Sequence, residues 1–511
     1  MPSGWSLLIA VFAPMVCGGV GLLLPRRAMG VRVALAAAGP ITSVAILLWY
    51  LSTHGMVVSG TVPWVPGLHM DFAWLVDPTG VMFNLFIAGI GLLIILYARA
   101  YLGPKPDDLF RFYPMLGLFM TAMLGLTLSD NLPTMLLFWE MTSISSFLLI
   151  GWKFSDKVAS RNAMQAFLVT GLGGLVLMGG LILLAIAAGD DGGPVWRFSE
   201  MGPVQGKTLA LAFVLLYVGI AAKSAQWPLH FWLPGAMNAP TPVSAYLHSA
   251  AMVKAGIYLL ARLWPFLSDM SVWPMIVIPL GAITMAYGAV MALRQDRLKA
   301  ILAYTTISQL GLLATAFGLG GLTYDGQPNL IAPNLQILNH ALYKAPLFIL
   351  AGAIIHGLHR EKLSDCIGLF REGGDAKRYA VLFLIGAYAL AALPLSFSFS
   401  AKEMFLYQVA RAEKALGAWF WPLAVSAVIV GLCNVALFVR FLRTFLTAPT
   451  ISATPPEHAE HHDSAFWHAW LWVPAAVLIG LQFVMGIVPI ALAWAADPLM
   501  GPSFYEKFET L

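Results

Sequence analysis

Fourteen apolar stretches recur along this 511-residue chain, at residues 5–24, 31–51, 77–98, 112–129, 133–151, 163–188, 208–237, 242–263, 272–293, 299–319, 331–356, 379–410, 417–445 and 467–495. About 20 apolar residues suffice for a helix to cross the ~30 Å hydrocarbon core of a bilayer. Lipid offers no hydrogen bonds, so a spanning backbone must satisfy its own N–H and C=O groups, as a helix does. The pattern therefore predicts an all-α, multi-pass membrane protein of about 14 transmembrane helices. A soluble globule is excluded by its surface requirement: such domains carry about 25% charged residues, and this chain has 11%. Cys17, Cys366 and Cys433 stand apart, without the spacing of a disulfide framework or of a zinc or iron–sulfur ligand set.

Orientation follows from the basic residues. No Lys or Arg precedes the first stretch, whereas Arg26, Arg27 and Arg32 follow it. A secretory signal has the reverse order, so the first stretch reads as an uncleaved helix with its N-terminus outside. Counting onward, the cytoplasmic connections hold most of the 29 Lys and Arg, among them Arg99, Lys105, Lys153, Lys157, Arg161, Arg294, Arg297, Arg360, Lys362, Arg371 and Arg440. The outer side holds only Arg197, Lys207, Arg262, Arg411, Lys414 and Lys507. The asymmetry obeys the positive-inside rule and places both termini outside the cell, in a plasma or inner membrane.

Two stretches carry the signature of a broken helix. Segment seven contains Ser224-Ala225-Gln226-Trp227-Pro228 and ends in Leu233-Pro234; segment twelve contains Leu393-Pro394-Leu395-Ser396. Proline removes a backbone donor and clashes with the preceding turn. The breaks lie five helices apart, and an odd shift inverts orientation. Thr142-Ser143-Ile144-Ser145 on segment five is also echoed by Thr305-Thr306-Ile307-Ser308 on segment ten. Helices 4–8 and 9–13 thus read as inverted repeats meeting at a pathway. The expected division is 1–111 for helices one to three, 112–264 and 265–446 for the two repeats, and 447–511 for a loop, helix fourteen and a tail.

Charges inside these segments are the candidate functional groups. Glu140, Lys223, His248, Lys254, His340, Lys344 and Lys402 fall within or beside apolar stretches, several of them next to a break. An ion at the bilayer centre costs at least ~2.5 kcal/mol, so each needs a partner or a task. His340 and Lys344 share a helix face at i, i+4; His248 and Lys254, six apart, fall on different faces. A static Glu140–Lys223 pair would need two of these groups, not seven. A row of titratable groups on separate helices instead suggests proton conduction, since burial and a neighbouring charge pull a group's proton affinity in opposite directions. Lys299 and Glu403, near the interfaces, read as solvated. The loop from Glu457 to Asp463 has metal-like composition but lacks a fixed frame, and reads as solvated cytoplasmic chain. With no Walker A loop, dinucleotide fingerprint or nucleophile elbow, no cofactor is expected and no metal ligand set is assigned.

Phe138-Trp139-Glu140-Met141-Thr142-Ser143, Lys223-Ser224-Ala225-Gln226-Trp227-Pro228-Leu229-His230, and the run Ala239-Pro240-Thr241-Pro242-Val243-Ser244-Ala245 through His248 resemble the proton-translocating antiporter-like subunits, a superfamily that includes the largest such subunit of respiratory complex I. Asn339-His340-Ala341-Leu342-Tyr343-Lys344 and Ser400-Ala401-Lys402-Glu403-Met404-Phe405 resemble its eleventh- and twelfth-helix motifs. With Lys254 in Ser249-Ala250-Ala251-Met252-Val253-Lys254, the sequence is most similar to the N-terminal module of the A subunit of Mrp-type multisubunit cation/proton antiporters. The resemblance implies Glu140 and Lys223 as a coupling pair, His248, Lys254, His340 and Lys344 as a proton relay, and Lys402 as a gate. It implies a transporter component rather than an enzyme, exchanging protons for Na⁺ or K⁺ beside other hydrophobic subunits, with no nucleic-acid partner. The alternatives are a proton-pumping component of a complex I-like or hydrogenase-type redox complex, and the membrane partner of an inorganic-carbon uptake complex.

Overall fold

A computed structural model of the protein describes residues 3–25, 28–55, 57–103, 106–189, 193–202, 204, 206, 208–320, 322, 330–448 and 465–487. Segments one to six are continuous helices over Ser3–Val20, Met29–His54, Pro78–Leu102, Pro106–Leu128, Leu132–Ile150 and Lys157–Ala187. Segments nine, ten, eleven, thirteen and fourteen form Val272–Leu293, Leu298–Gly320, Ile331–Leu358, Phe420–Leu446 and Val473–Ile487. Side-chain caps start segments three, five and six: Asp77 accepts from Gly80 N at 2.7 Å, Asn131 from Thr134 N at 2.9 Å, and Asp156 from Val158 N at 2.8 Å.

Twelve helices among the described residues are long and apolar enough to cross a membrane. Segments seven and twelve are absent from that set because each is interrupted where its prolines foretold. Segment seven runs Leu209–Lys223, passes through Ala225 in a left-handed conformation, and resumes as a single turn, Trp232–Gly235. Segment twelve runs Gly374–Leu390, passes through left-handed Ala392 and Leu395, and resumes as Phe397–Arg411. Non-glycine residues with such dihedrals are strained by roughly 1–3 kcal/mol each and persist only where packing imposes them. Freed carbonyls find donors within the protein: Trp232 Nε1 donates to Ala222 O at 2.9 Å.

Two features depart from the expected pattern. Segment eight is also interrupted, between Thr241–Ser249 and Ala255–Leu267, with Met252–Lys254 in a 3-10 turn. The wheel argument that set His248 and Lys254 on different faces of one helix therefore does not apply. The connection between segments two and three is a β-hairpin, β1 (Val58–Val65) antiparallel to β2 (Met70–Val76). It lies against the start of segment five: Asn131 Nδ2 donates to His69 O at 2.8 Å and Thr134 Oγ1 to Asp71 O at 2.7 Å, with Trp74 fully buried beneath. The Glu457–Asp463 loop lies outside the described residues, as do Arg26, Arg27, Lys105, Lys207 and Lys507.

Candidate functional site

Lys223, His248, Lys254, His340 and Lys344 are all 0% exposed. None of these three lysines has an acidic partner in contact among the described residues; each ammonium is seated on backbone carbonyls, hydroxyls or ring faces. Long aliphatic stems make this possible, because the charge can be carried several ångströms from the backbone to a polar pocket.

Lys223 closes the first half of segment seven, where the helix dipole favours a cation. Its Nζ donates to Trp139 O at 3.1 Å and to Ser143 Oγ at 2.7 Å, and lies 5.3 Å from the centre of a Trp139 ring. Trp139 and Ser143 are one turn apart on a single face of segment five. Glu140 points about a quarter-turn away, toward segment six. A Cβ on Gly174 would collide with Glu140 Oε1, so the carboxylate rests in space that the glycine leaves open. The two implied partners are thus electrostatic neighbours without a direct ion pair, the lysine sitting on residues that flank the glutamate.

His248 ends the first half of segment eight between the rings of Trp232 and Phe348, centred 6.5 and 6.2 Å away. Lys254 sits at the segment-eight break and donates to Ile337 O on segment eleven at 3.0 Å, over the Phe86 ring at 4.8 Å. His340, edge-on to Tyr343 at 5.6 Å, lies within electrostatic reach of both Lys254 and Lys344. Lys344 Nζ donates to Thr305 Oγ1 on segment ten at 2.6 Å. Both ring nitrogens of His248 and of His340 are buried without a hydrogen bond among the described residues. A neutral imidazole so placed still offers one donor and one acceptor. The structure thus brings segments eight, ten and eleven together around these four groups, with Glu140 and Lys223 on segments five and seven.

Lys402, on the second half of segment twelve, is half-buried and lines a cavity with Gln309, Gln336, Asn339, Tyr343, Ser398 and Asn434. Its volume of about 20 Å³ exceeds the ~10–15 Å³ that one water needs. Of its polar wall, Asn339 and Tyr343 belong to the eleventh-helix motif, whereas no sequence signal marks Gln309, Gln336, Ser398 or Asn434. Gln309 Nε2 donates to Gln336 Oε1 at 2.8 Å, Asn339 Nδ2 to the same oxygen at 3.3 Å, and Ser398 Oγ to Asn339 Oδ1 at 2.6 Å. Lys299 departs from expectation too. It is half-buried, its Nζ donating to Met237 O at 3.3 Å and Ala239 O at 2.8 Å, carbonyls between segments seven and eight, and it is an electrostatic neighbour of His248.

Residues 129–430, more than half of the chain, match the family described as "NADH:quinone oxidoreductase/Mrp antiporter, TM". The chain belongs to this family. Residues 63–113 of this family member match a second description, "NADH-Ubiquinone oxidoreductase (complex I), chain 5 N-terminus". The chain is 36% identical to the A subunit of the Na(+)/H(+) antiporter of Alkalihalophilus pseudofirmus over 486 residues, which cover 90% of this chain and 58% of that one. It is 38% identical to the putative antiporter subunit mnhA2 of Staphylococcus aureus (strain MRSA252) over 415 residues, 78% of this chain and 51% of the relative. It therefore spans little more than half the length of these relatives. Among solved structures, the Mrp complex from Dietzia sp. DQ12-45-1b superposes with a TM-score of 0.79 at 29% identity, covering 97% of this chain and 52% of the matched one. The membrane-bound sulfane sulfur reductase, an archaeal respiratory membrane complex, superposes with a TM-score of 0.80 at 21% identity, covering 98% and 99%, a likeness of fold alone. Family, fold and apolar helices together make this a multi-pass protein of the cell membrane.

Proposed function

We propose that the chain is a proton-translocating membrane component of a multisubunit monovalent cation/proton antiporter. The observation that carries this reading is the set of five fully buried Lys and His side chains, without carboxylates in contact among the described residues, beside interrupted helices. Buried ionisable groups that served only stability would be paired or replaced by apolar residues. In this reading a proton taken up near Glu140 and Lys223 alters the charge of that neighbourhood, which changes the proton affinity of His248, Lys254, His340 and Lys344 in turn. Lys402 passes the proton to the far side or to a neighbouring polypeptide of the complex. Inward proton flow drives Na⁺ or K⁺ out; the Alkalihalophilus relative is named as a subunit of a Na(+)/H(+) antiporter. Residues 112–264 and 265–446 act as the two inverted halves, with Lys223 just before one break and Lys402 just after the other.

The test is cation-dependent collapse of a pH gradient in everted membrane vesicles that contain the complete complex. Glu140→Ala is expected to lower exchange roughly 100-fold, the scale of a lost proton-transfer group, at unchanged protein level. Near-wild-type exchange by the variant would sink the coupling assignment. Co-purification of flavin or iron–sulfur proteins would reassign the driving reaction to redox chemistry.

A companion prediction concerns Gly174. Because its Cβ would collide with Glu140 Oε1, Gly174→Ala is expected to push the carboxylate off its seat. Exchange should fall about tenfold although no titratable group is removed, consistent with the sensitivity of such chemistry to ~1 Å displacements. The same vesicle assay reads it, and undiminished exchange would show that the Glu140 position is not critical.

A further inference from the structure

Segment fourteen lies outside both proposed repeats, yet it bonds to two residues that line the Lys402 cavity. A Cβ on Gly486 would collide with Leu395 O and come 2.5 Å from Phe397 N, so this helix presses its backbone against the break of segment twelve. One turn earlier on the same face, Gln482 is 1% exposed and is the only polar side chain in Val473–Ile487. Its Nε2 donates to Ser398 Oγ at 2.8 Å and to Asn339 Oδ1 at 3.0 Å, tying segment fourteen to segments twelve and eleven at once.

We propose that Gln482 is a positioning residue for proton hand-over from Lys344 on segment eleven to Lys402 on segment twelve, an inference that rests on the function proposed above. Asn339 and Ser398 both line the Lys402 cavity, and so does Tyr343, whose ring centre lies 5.4 Å from Lys344 Nζ. By donating to Asn339 Oδ1, Gln482 turns the Asn339 amide so that its Nδ2 meets Gln336 Oε1, which also receives Gln309 Nε2. One choice of donor direction, made at segment fourteen, thus sets donors and acceptors along the cavity wall, and an ordered wall orients any water that carries a proton across. The proton that leaves the Lys344 ammonium is balanced by the one that arrives on the Lys402 amine. Amides and water end unchanged.

The experiment uses the complete complex in everted vesicles, comparing Gln482→Leu, Ser398→Ala and the double variant. Gln482→Leu is expected to lower the maximal exchange rate about tenfold with the half-saturating Na⁺ or K⁺ concentration unchanged. The double variant should fall no further than the worse single one, because both act through one hydrogen-bonded unit. A purely structural role would instead reduce the amount of assembled complex and leave the rate per complex intact. Should Gln482→Leu fail to assemble, Gln482→Asn keeps an amide in the slot but is one methylene too short to hold both oxygens, and is expected to show the same rate loss. Wild-type rates per complex, or additive losses, would overturn the proposal. Glu140→Ala run in parallel separates the two readings: if it also exchanges normally, the proton-relay function fails, whereas its loss beside a silent Gln482→Leu fails this inference alone.

Discussion

Replacing Lys223 with leucine is expected to reduce cation/proton exchange by at least roughly 100-fold, the range in which loss of a proton-transfer group is felt, while the protein accumulates normally in the membrane. The structure explains why folding should survive. Trp139 O already accepts from Thr142 Oγ1 at 2.7 Å, and Ser143 Oγ has Trp139 O within 3.5 Å as an alternative acceptor, so removing the ammonium leaves neither of its two hydrogen-bond acceptors without a partner. A buried cation with no carboxylate in contact carries a desolvation cost that an apolar side chain of similar volume does not. The sharper variant is Lys223→Arg. Guanidinium keeps the charge and the donors but does not give up a proton in proteins. If Lys223 were only a fixed positive charge, Arg would preserve exchange; if it carries a proton, Arg fails like Leu. Initial rates of gradient collapse in vesicles, normalised to the amount of complex, decide between them.

What the sequence disclosed tracks how locally each feature is encoded. Interruptions at segments seven and twelve were readable because Pro228 and Pro394 act on their own backbone, whatever surrounds them. The interruption of segment eight was not, since Ala250 and Ala251 carry no breaking signal; it exists through packing against segments seven and eleven, where Lys254 reaches Ile337 O. The hairpin is similar: Val58–Val65 contains Pro63, which argues against a strand, and the return strand it pairs with is buried at Ala73, Trp74, Leu75 and Val76. Among the site residues, each isolated charge in an apolar run stood out by its transfer cost alone. Gln309, Gln336 and Ser398 did not, because single amides and hydroxyls are common in membrane helices and acquire meaning only when several segments meet. Gln482 could have been found as the lone polar residue between Val473 and Ile487. The geometry of Glu140 also lay beyond sequence spacing, because its carboxylate rests in the space left by the absence of a side chain at Gly174, on another helix.

The second large effect concerns stability. Asp77 and Arg262 form a buried bidentate pair, Nη1 to Oδ2 at 2.6 Å and Nη2 to Oδ1 at 3.1 Å, with side chains no more than 4% exposed. The guanidinium also donates to Tyr258 OH at 2.7 Å, and that hydroxyl donates to Thr127 O at 3.0 Å. The pair thereby fastens the second half of segment eight to the start of segment three and the end of segment four. Breaking a buried pair from one side leaves an uncompensated charge, worth about 3–5 kcal/mol. Asp77→Ala additionally removes the cap on Gly80 N, about 1 kcal/mol more. The expected order of thermal unfolding midpoints for the purified protein is therefore wild type highest, Asp77→Ala lowest and Arg262→Leu above it. The double variant Asp77→Ala/Arg262→Leu should recover much of the loss, since no charge then remains unpaired and only the cap and packing terms persist. Equal midpoints for all four proteins, or a double variant as low as the sum of the singles, would show that the pair does not anchor the helix. Its mechanistic weight follows from what it fastens: Ala255–Leu267 holds the far edge of the break at Lys254, so a helix half that slips here moves the lysine between Phe86 and Ile337. Exchange should then be lost in the single variants even in the fraction that remains folded, and return with the midpoint in the double.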